Sequence, residues 1–169
     1  MFLTTSLVMP ANRTLYLMIF IFCLLSLSTA IFLQYDDHLE PCPLCIFQRI
    51  AYMSVAFFAL IGLLSSQQRI LNRVSALLMS LASLTGGGIA LRHVWIQHLP
   101  ADQVPDCGPG LNYLLDVFPL QKVVSLVLRG SGECAKIDWT LLGFSMPELS
   151  LAAFSFITIT GLYLLVRPK

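Results

Sequence analysis

Charged residues are scarce in this sequence. Asp, Glu, Lys and Arg make up 11% of its 169 residues, whereas a soluble domain carries about 25%. The net charge is only +1, so no strong field of one sign favours nucleic acid or an acidic partner. Hydrophobic residues account for 57% of the chain, with a mean hydropathy of +0.80. A water-soluble fold of this size cannot bury that much apolar surface, so we expect the lipid bilayer to be its solvent.

Four apolar runs approach the roughly 20 residues that cross a bilayer as a helix. They cover residues 15–33, 46–64, 70–91 and 149–166. We therefore predict an all-α membrane protein, a four-transmembrane-helix bundle that forms a single membrane domain over residues 1–169. The first run contains Ser28-Thr29-Ala30, which is similar to a signal-peptidase site. Because the apolar run continues past Ala30, we expect a retained span rather than a cleaved leader.

Basic residues predict the orientation of the spans. Arg13, Arg69, Arg73, Arg167 and Lys169 flank the spans on one side, whereas all nine acidic residues lie on the other. The positive-inside rule then places both termini in the cytoplasm and leaves two outer segments, 34–45 and 92–147. Within the long outer segment, residues 111–128 are too interrupted to span the bilayer. They predict either a short amphipathic interfacial helix or a lid packed over the bundle.

A C-x-x-C motif lies just before the second span, at Cys42 and Cys45. Two prolines precede the apolar run, where a missing backbone N–H costs little, so Cys45 is expected in the first turn of the second helix. The free N–H groups and the dipole of that turn favour a thiolate. Arg49 follows by one turn and could stabilise the thiolate and polarise a quinone carbonyl. Gln48 could donate a hydrogen bond to the same oxygen or simply face another helix.

Metal binding is the main rival interpretation of this motif. A structural zinc site uses four ligands, commonly from a second C-x-x-C or a pair of histidines. The other outer cysteines lie far apart in the sequence and have no histidine between them. The haem attachment pattern also fails, because Ile46 rather than histidine follows Cys45. From the sequence we expect no metal.

Two further cysteines, Cys107 and Cys134, lie in polar segments rich in glycine. A bond between them could be a structural staple, worth about 3–4 kcal/mol in the chain-entropy model. It could also be an accessible and therefore labile disulfide. Because a second dithiol motif is predicted on the same membrane face, we favour a relay that passes oxidation between the two pairs. The fifth cysteine, Cys23, lies within a span and is expected to act as a small hydrophobe.

His93 lies near the outer end of the third span. It could bond a quinone oxygen, or it could be an interfacial anchor beside Trp95. Gly86-Gly87-Gly88 in the same span favours close approach of a neighbouring helix or of a flat ring.

These residues together resemble a known family. Pro-Cys-Pro-Leu-Cys-Ile-Phe-Gln-Arg at 41–49 is similar to the redox motif of the disulfide bond formation protein B (DsbB) family. Gly-Ser-Gly-Glu-Cys-Ala at 130–135, followed by Trp139, Leu142-Gly143 and Ser145-Met146-Pro147, resembles the end of that family's second periplasmic loop. With the four spans, the resemblance covers nearly the whole chain.

The resemblance implies a bacterial inner-membrane thiol:quinone oxidoreductase that reoxidises a periplasmic DsbA-like thioredoxin-fold protein. It implies two redox pairs, Cys107–Cys134 and Cys42–Cys45, with Cys107 forming the mixed disulfide with the partner. Arg49 matches the family's quinone-site arginine, and the quinone would be ubiquinone or menaquinone. His93 and Gln48 join Arg49 as predicted quinone-binding residues.

Three alternatives stay open at this point. The chain could be a paralogue that serves a dedicated dithiol partner. It could be an enzyme similar to vitamin K epoxide reductase, which shares the architecture but has another sequence context. It could also be a non-catalytic membrane scaffold with two structural disulfides.

Overall fold

The computed structural model describes residues 11–36, 41–65, 68–100, 102–106, 111–137 and 139–166. Four long helices dominate these residues: α1 (Ala11–Asp36), α2 (Pro43–Leu64), α3 (Arg69–Gln97) and α7 (Met146–Val166). Three short helices and a two-stranded hairpin connect α3 to α7: α4 (Leu111–Val117), α5 (Leu120–Arg129), α6 (Gly132–Ala135), β1 (Thr140–Leu141) and β2 (Phe144–Ser145).

The predicted all-α membrane bundle is confirmed. The four long helices are each long and apolar enough to cross a membrane. Large apolar side chains remain exposed on their outer surfaces, such as Phe57 at 59%, Leu84 at 62% and Phe156 at 69%. Exposure of this kind is unfavourable in water but is expected of a surface that faces lipid.

Helix α3 lies at the centre of the packing, between α2 and α7, while α1 packs on α2. A Cβ atom added to Gly86 of α3 would lie 2.7 Å from the Phe154 ring and 2.9 Å from the Ala51 Cβ atom. The Phe154 ring in turn stacks on Tyr52, with ring centroids 4.3 Å apart. At Gly88, by contrast, no described residue lies within 4 Å of that position. Close approach, expected for the whole glycine run, is therefore confirmed at Gly86.

The helices extend beyond the apolar runs that predicted them. Helix α1 continues through Ala30 to Asp36, α2 begins at Pro43, and α3 ends at Gln97. Hydropathy detects only the apolar part of a helix, whereas the backbone hydrogen bonds continue wherever polar side chains find water or protein partners. As a result, parts of the predicted outer segments 34–45 and 92–147 are helical continuations of the spans.

The segment predicted as an interfacial helix or a lid forms two helices, α4 and α5. Pro119 separates them, because it has no N–H to continue a helix and instead precedes the first turn of α5 with an extended backbone. Val123 and Val127, one turn apart on α5, are buried at 1% and 2% in a cluster with Leu44 of α2 and Ile96 of α3. These contacts show that α5 packs as a lid on one end of the bundle, and its position in the membrane interface stays a prediction.

Candidate redox site

The first turn of α2 presents two cysteines. Cys42 is the N-cap, and its sulfur accepts a hydrogen bond from the Cys45 backbone N–H at 3.4 Å. Pro43 occupies the first helical position, where its fixed φ suits a helix start. The Cys42 thiol donates to the Cys45 sulfur at 3.1 Å. Cys45 therefore lies in the first turn, as predicted, but the sulfur that caps the helix belongs to Cys42.

His93 reaches this pair from α3. Its side chain is only 2% exposed, and its Nε2 atom lies 3.8 Å from the Cys42 sulfur. The same nitrogen donates to the Cys134 carbonyl oxygen at 3.1 Å. On the opposite side of the ring, Nδ1 accepts from the Gln48 amide nitrogen at 3.2 Å. These partners assign the proton to Nε2 and hold the ring between α2 and α6.

Cys134 completes the group of sulfurs from α6. It is 1% exposed and lies in the same buried cluster as Cys42 and Leu44. Hydrogen bonding to the Cys42 thiol, together with burial, raises the pKa of the Cys134 thiol well above its usual range. The preceding turn depends on Gly130, which has φ +84, a conformation that L side chains rarely adopt. A side chain at Gly130 would also collide with Ile96 of α3.

Arg49 turns toward α1. Its guanidinium donates to the Gln34 side-chain oxygen at 2.6 Å and to the Ala30 carbonyl oxygen at 3.0 Å. It lies within electrostatic range of Cys45, but its hydrogen bonds among the described residues go to α1. The charge of Arg49 therefore acts on the dithiol, as predicted from the sequence, and its hydrogen bonds join α1 to α2.

A second arginine holds the lid. Arg92 of α3 donates from Nε to the Leu128 carbonyl oxygen at 3.1 Å and from a terminal nitrogen to the Arg129 carbonyl oxygen at 3.0 Å. These carbonyls belong to the last turn of α5, whose intrahelical partners are missing. The Arg92 side chain thus caps the C-terminal end of α5. This cap holds the chain in place immediately before Gly130 and the segment that carries Cys134.

Most of the predicted site residues come together. The structure brings together Cys42, Cys45, Gln48, His93 and Cys134 at one end of the bundle. Cys107 lies outside the described residues, so its predicted pairing with Cys134 stays a prediction. Sequence reasoning missed Gln34 and Arg92. Each is a polar residue directly after an apolar run, and this position is the sequence signal that could have identified both.

This arrangement suits thiol chemistry. The Cys42 and Cys45 sulfurs lie 3.1 Å apart, Cys134 belongs to the same buried cluster, and a buried imidazole lies beside them. Disulfide exchange requires such direct access of one sulfur to the next. In the described residues, Cys23 lies apart from this group, buried in the bundle core with Tyr16 and Ile19.

Comparison with known proteins agrees with this chemistry. A family profile described as "Disulfide bond formation protein DsbB" matches residues 12–164. The chain belongs to the DsbB family.

Proteins named disulfide bond formation protein B are similar to it over most of both chains. The Acinetobacter baumannii protein is 50% identical over 145 residues, which cover 85% of each chain. The Psychrobacter cryohalolentis protein is 51% identical over 164 residues, or 92% of each. As a DsbB-family member, this chain is a multi-pass membrane oxidoreductase with a role in disulfide bond formation.

Proposed function

We propose that this protein is an inner-membrane thiol:quinone oxidoreductase that reoxidises a periplasmic DsbA-like dithiol protein and passes the electrons to ubiquinone or menaquinone. The family supports the disulfide-forming part of this proposal. The observation that carries it further is that Cys134 lies in one buried cluster with Cys42, because this links the segment after α5 to the C-x-x-C at the bundle end.

The proposed relay begins in the outer loop. A thiolate of the partner attacks the Cys107 sulfur of a Cys107–Cys134 disulfide, forming a mixed disulfide, and Cys134 leaves. The partner's second thiol then displaces Cys107. The partner is thereby oxidised, and Cys107 and Cys134 hold the electron pair and two protons.

A second exchange transfers this pair to α2. Cys134, as a thiolate, attacks the Cys42 sulfur of a Cys42–Cys45 disulfide, and Cys45 leaves as a thiolate. Cys107 then attacks Cys134, which restores the Cys107–Cys134 bond and leaves Cys42 and Cys45 reduced. The position of Cys134 in one buried cluster with Cys42 supports this order. The position of Cys45 in the first helical turn favours its thiolate as the leaving group.

The residues near Cys45 fit a quinone in part. A bound quinone supplies a two-electron acceptor of more positive potential. Arg49 fits the task, because its two bonds to α1 use only part of the guanidinium donor set. His93 and Gln48 fit less well, since they bind each other and the His93 Nε2 atom donates to the Cys134 carbonyl. We therefore assign quinone binding first to Arg49, while His93 and Gln48 hold the sulfurs in place.

A quinone also satisfies the energetics. The potential of DsbA, about −120 mV, is an established value of the system that this family serves and is not deduced from this chain. Structural protein disulfides commonly lie below about −300 mV and cannot reoxidise such a protein. A lipid-soluble oxidant is needed, and the C-x-x-C at the start of a membrane-spanning helix is well placed to meet one.

We propose that the cysteine end faces the periplasm and that both termini are cytoplasmic. The Tyr16 hydroxyl donates to the Asn72 carbonyl oxygen at 3.0 Å, which brings the start of α1 to the start of α3. Arg13 and Arg69 therefore lie toward one end of the bundle, and the dithiol group lies at the other. This separation agrees with the positive-inside rule.

Turnover of the purified protein tests the proposal. A reduced DsbA-like protein is supplied with ubiquinone or menaquinone, and loss of its thiols is followed. We expect quinone-dependent oxidation that stops in Cys45→Ser and falls strongly in Arg49→Ala. Absence of quinone-dependent turnover in the unsubstituted protein would favour a non-catalytic scaffold, and intact turnover in both variants would contradict the roles given to Cys45 and Arg49. Turnover with only one dedicated dithiol protein, and none with the DsbA-like protein, would favour the paralogue.

A further inference from the structure

The cluster of thiols at the start of α2 also has the donor atoms of a metal site. The Cys42 sulfur, the Cys45 sulfur and a His93 ring nitrogen all lie within 4.8 Å of one another. Cys42 and His93 are buried, and Cys45 is half-buried. Two thiols and an imidazole are the donors that zinc prefers in proteins.

The distances suit a tetrahedral ion after a small adjustment. Zinc–sulfur bonds of about 2.3 Å and zinc–nitrogen bonds of about 2.0–2.1 Å separate neighbouring ligand atoms by about 3.5–3.8 Å. The Cys42 sulfur lies 3.8 Å from His93 Nε2. The two sulfurs are closer, at 3.1 Å, and would have to separate by about 0.6 Å. Both thiols lose their protons when the ion binds, and the two negative sulfurs then repel each other. This repulsion favours the required increase in the sulfur–sulfur distance.

We propose that the dithiol form of this protein binds one divalent ion of the zinc type through Cys42 Sγ, Cys45 Sγ and His93 Nε2, and that the disulfide form does not. Binding releases two protons from the thiols and moves no electrons. A Cys42–Cys45 disulfide has no thiolate to offer, so oxidation removes two of the three ligands. Three protein ligands leave the fourth position of a tetrahedral ion open.

Gln48 supports the third ligand. In the metal-free arrangement the proton of His93 lies on Nε2, which donates to the Cys134 carbonyl. Metal binding needs that nitrogen's lone pair, so the proton must move to Nδ1. The Gln48 amide, now 3.2 Å from Nδ1 as a donor, can turn over and accept that proton with its oxygen. An outer partner of this kind fixes the tautomer of a ligating histidine and raises its affinity.

Charge balance also favours the ion. Separate thiolates in a largely buried site are unfavourable, and a divalent cation neutralises both. Sequence spacing argues against a metal because the other outer cysteines lie far apart with no histidine between them, and because Ile46 follows Cys45. His93 comes from another helix, so spacing along the chain has no bearing on it. The site does not depend on the electron acceptor proposed above, since it needs only two thiols and a neutral imidazole.

Cobalt titration of the full chain in detergent tests the site, with a non-thiol reductant to keep the cysteines reduced. The protein carries Cys23→Ser, Cys107→Ser and Cys134→Ser, so that only Cys42 and Cys45 remain. We expect one equivalent of Co²⁺ with a thiolate-to-metal charge-transfer band, and displacement of the band by Zn²⁺. The unsubstituted protein should show the same band when reduced and lose it when oxidised with diamide.

Matched histidine variants separate the proposed site from simple dithiol binding. His93→Asn should weaken Co²⁺ binding at least about tenfold, and Gln48→Leu about tenfold, the range found for outer partners of metal ligands. His98→Asn is the control, because the His98 side chain is exposed and, among the described residues, hydrogen-bonds only to the Val94 carbonyl oxygen. Helical circular dichroism of each variant checks its fold. The proposal fails if reduced protein shows no band, if oxidised protein binds equally well, or if His93→Asn binds as tightly as His98→Asn.

Discussion

Arg49 of α2 donates a 2.6 Å hydrogen bond to the Gln34 side chain of α1. An arginine near a span end is expected to snorkel toward lipid headgroups, but this one turns inward across a helix interface. A second bond, to the Ala30 carbonyl oxygen, holds it there. These two hydrogen bonds hold the guanidinium in a fixed position beside the first turn of α2. In the proposed mechanism, that position lets its charge act on electron transfer from Cys45.

We predict that Arg49→Met lowers quinone-dependent turnover by about 10²- to 10³-fold, the usual cost of removing one donor that stabilises developing charge. The matched control is Gln34→Leu, which removes a partner of Arg49 but leaves its charge. That variant should lose less than about tenfold, because one hydrogen bond is worth about 1 kcal/mol. Steady-state kinetics with varied quinone measure both. Equal losses would mean that Arg49 acts only by joining α1 to α2.

Arg92 is predicted to position the outer cysteine. Removing its side chain in Arg92→Met frees the Leu128 and Arg129 carbonyls and loosens the turn before Cys134. We expect kcat/KM for the reduced dithiol partner to fall about tenfold, which corresponds to about 1.4 kcal/mol, while the KM for quinone stays unchanged. Arg129→Met removes the same charge from an exposed side chain of the lid and should have little effect. An equal fall of kcat/KM in the two variants would mean that the lost positive charge, and not the lost hydrogen bonds to the end of α5, causes the effect.

The Cys134 thiol should react slowly with iodoacetamide at neutral pH. Its pKa is raised, first by the hydrogen bond to Cys42 and then by burial, and only the thiolate is alkylated. A raised pKa means that the thiolate fraction at a given pH is smaller than for a free cysteine, whose pKa is about 8.5. Cys42→Ala removes the largest cause, so the inflection of the rate against pH should move to lower pH.

Cys45→Ala is the control for that experiment, because it leaves the Cys42–Cys134 hydrogen bond in place. Cys23→Ser and Cys107→Ser in all samples simplify the labelling, and mass spectrometry of the peptide that contains Cys134 gives the rate. A pH profile that moves equally in Cys42→Ala and Cys45→Ala would contradict a specific contact with Cys42.

Local sequence patterns were sufficient for the spans and for the place of the C-x-x-C. Long apolar runs report lipid burial directly, and Pro43 marks the start of a helix because its fixed φ suits that position. Neither signal depends on the rest of the fold. The same local reasoning placed Cys45 in the first helical turn.

Contacts between helices could not be predicted in this way. The His93–Gln48 hydrogen bond joins residues 45 positions apart, and it depends on the rotation of α3 against α2. That rotation is set by packing at small residues such as Gly86, not by any pattern near His93. For the same reason the sequence does not predict that the His93 ring nitrogens contact Gln48, Cys42 and Cys134. Its role toward a quinone stays a prediction.

The glycine run of α3 allows a direct test of that packing. A methyl group at Gly86 would lie 2.7 Å from the Phe154 ring and 2.9 Å from the Ala51 Cβ atom, whereas one at Gly88 would meet no described residue within 4 Å. Overpacking of a filled interface costs about 1–3 kcal/mol, so Gly86→Ala should lower the thermal midpoint in detergent. Gly88→Ala makes the same chemical change two residues away and should leave the midpoint unchanged or slightly higher, because alanine favours a helix over glycine. Since α3 also carries His93, Gly86→Ala should slow turnover as well, by shifting α3 against α2 at the dithiol. Equal midpoints for the two variants would show that α3 does not pack on α2 and α7 through Gly86.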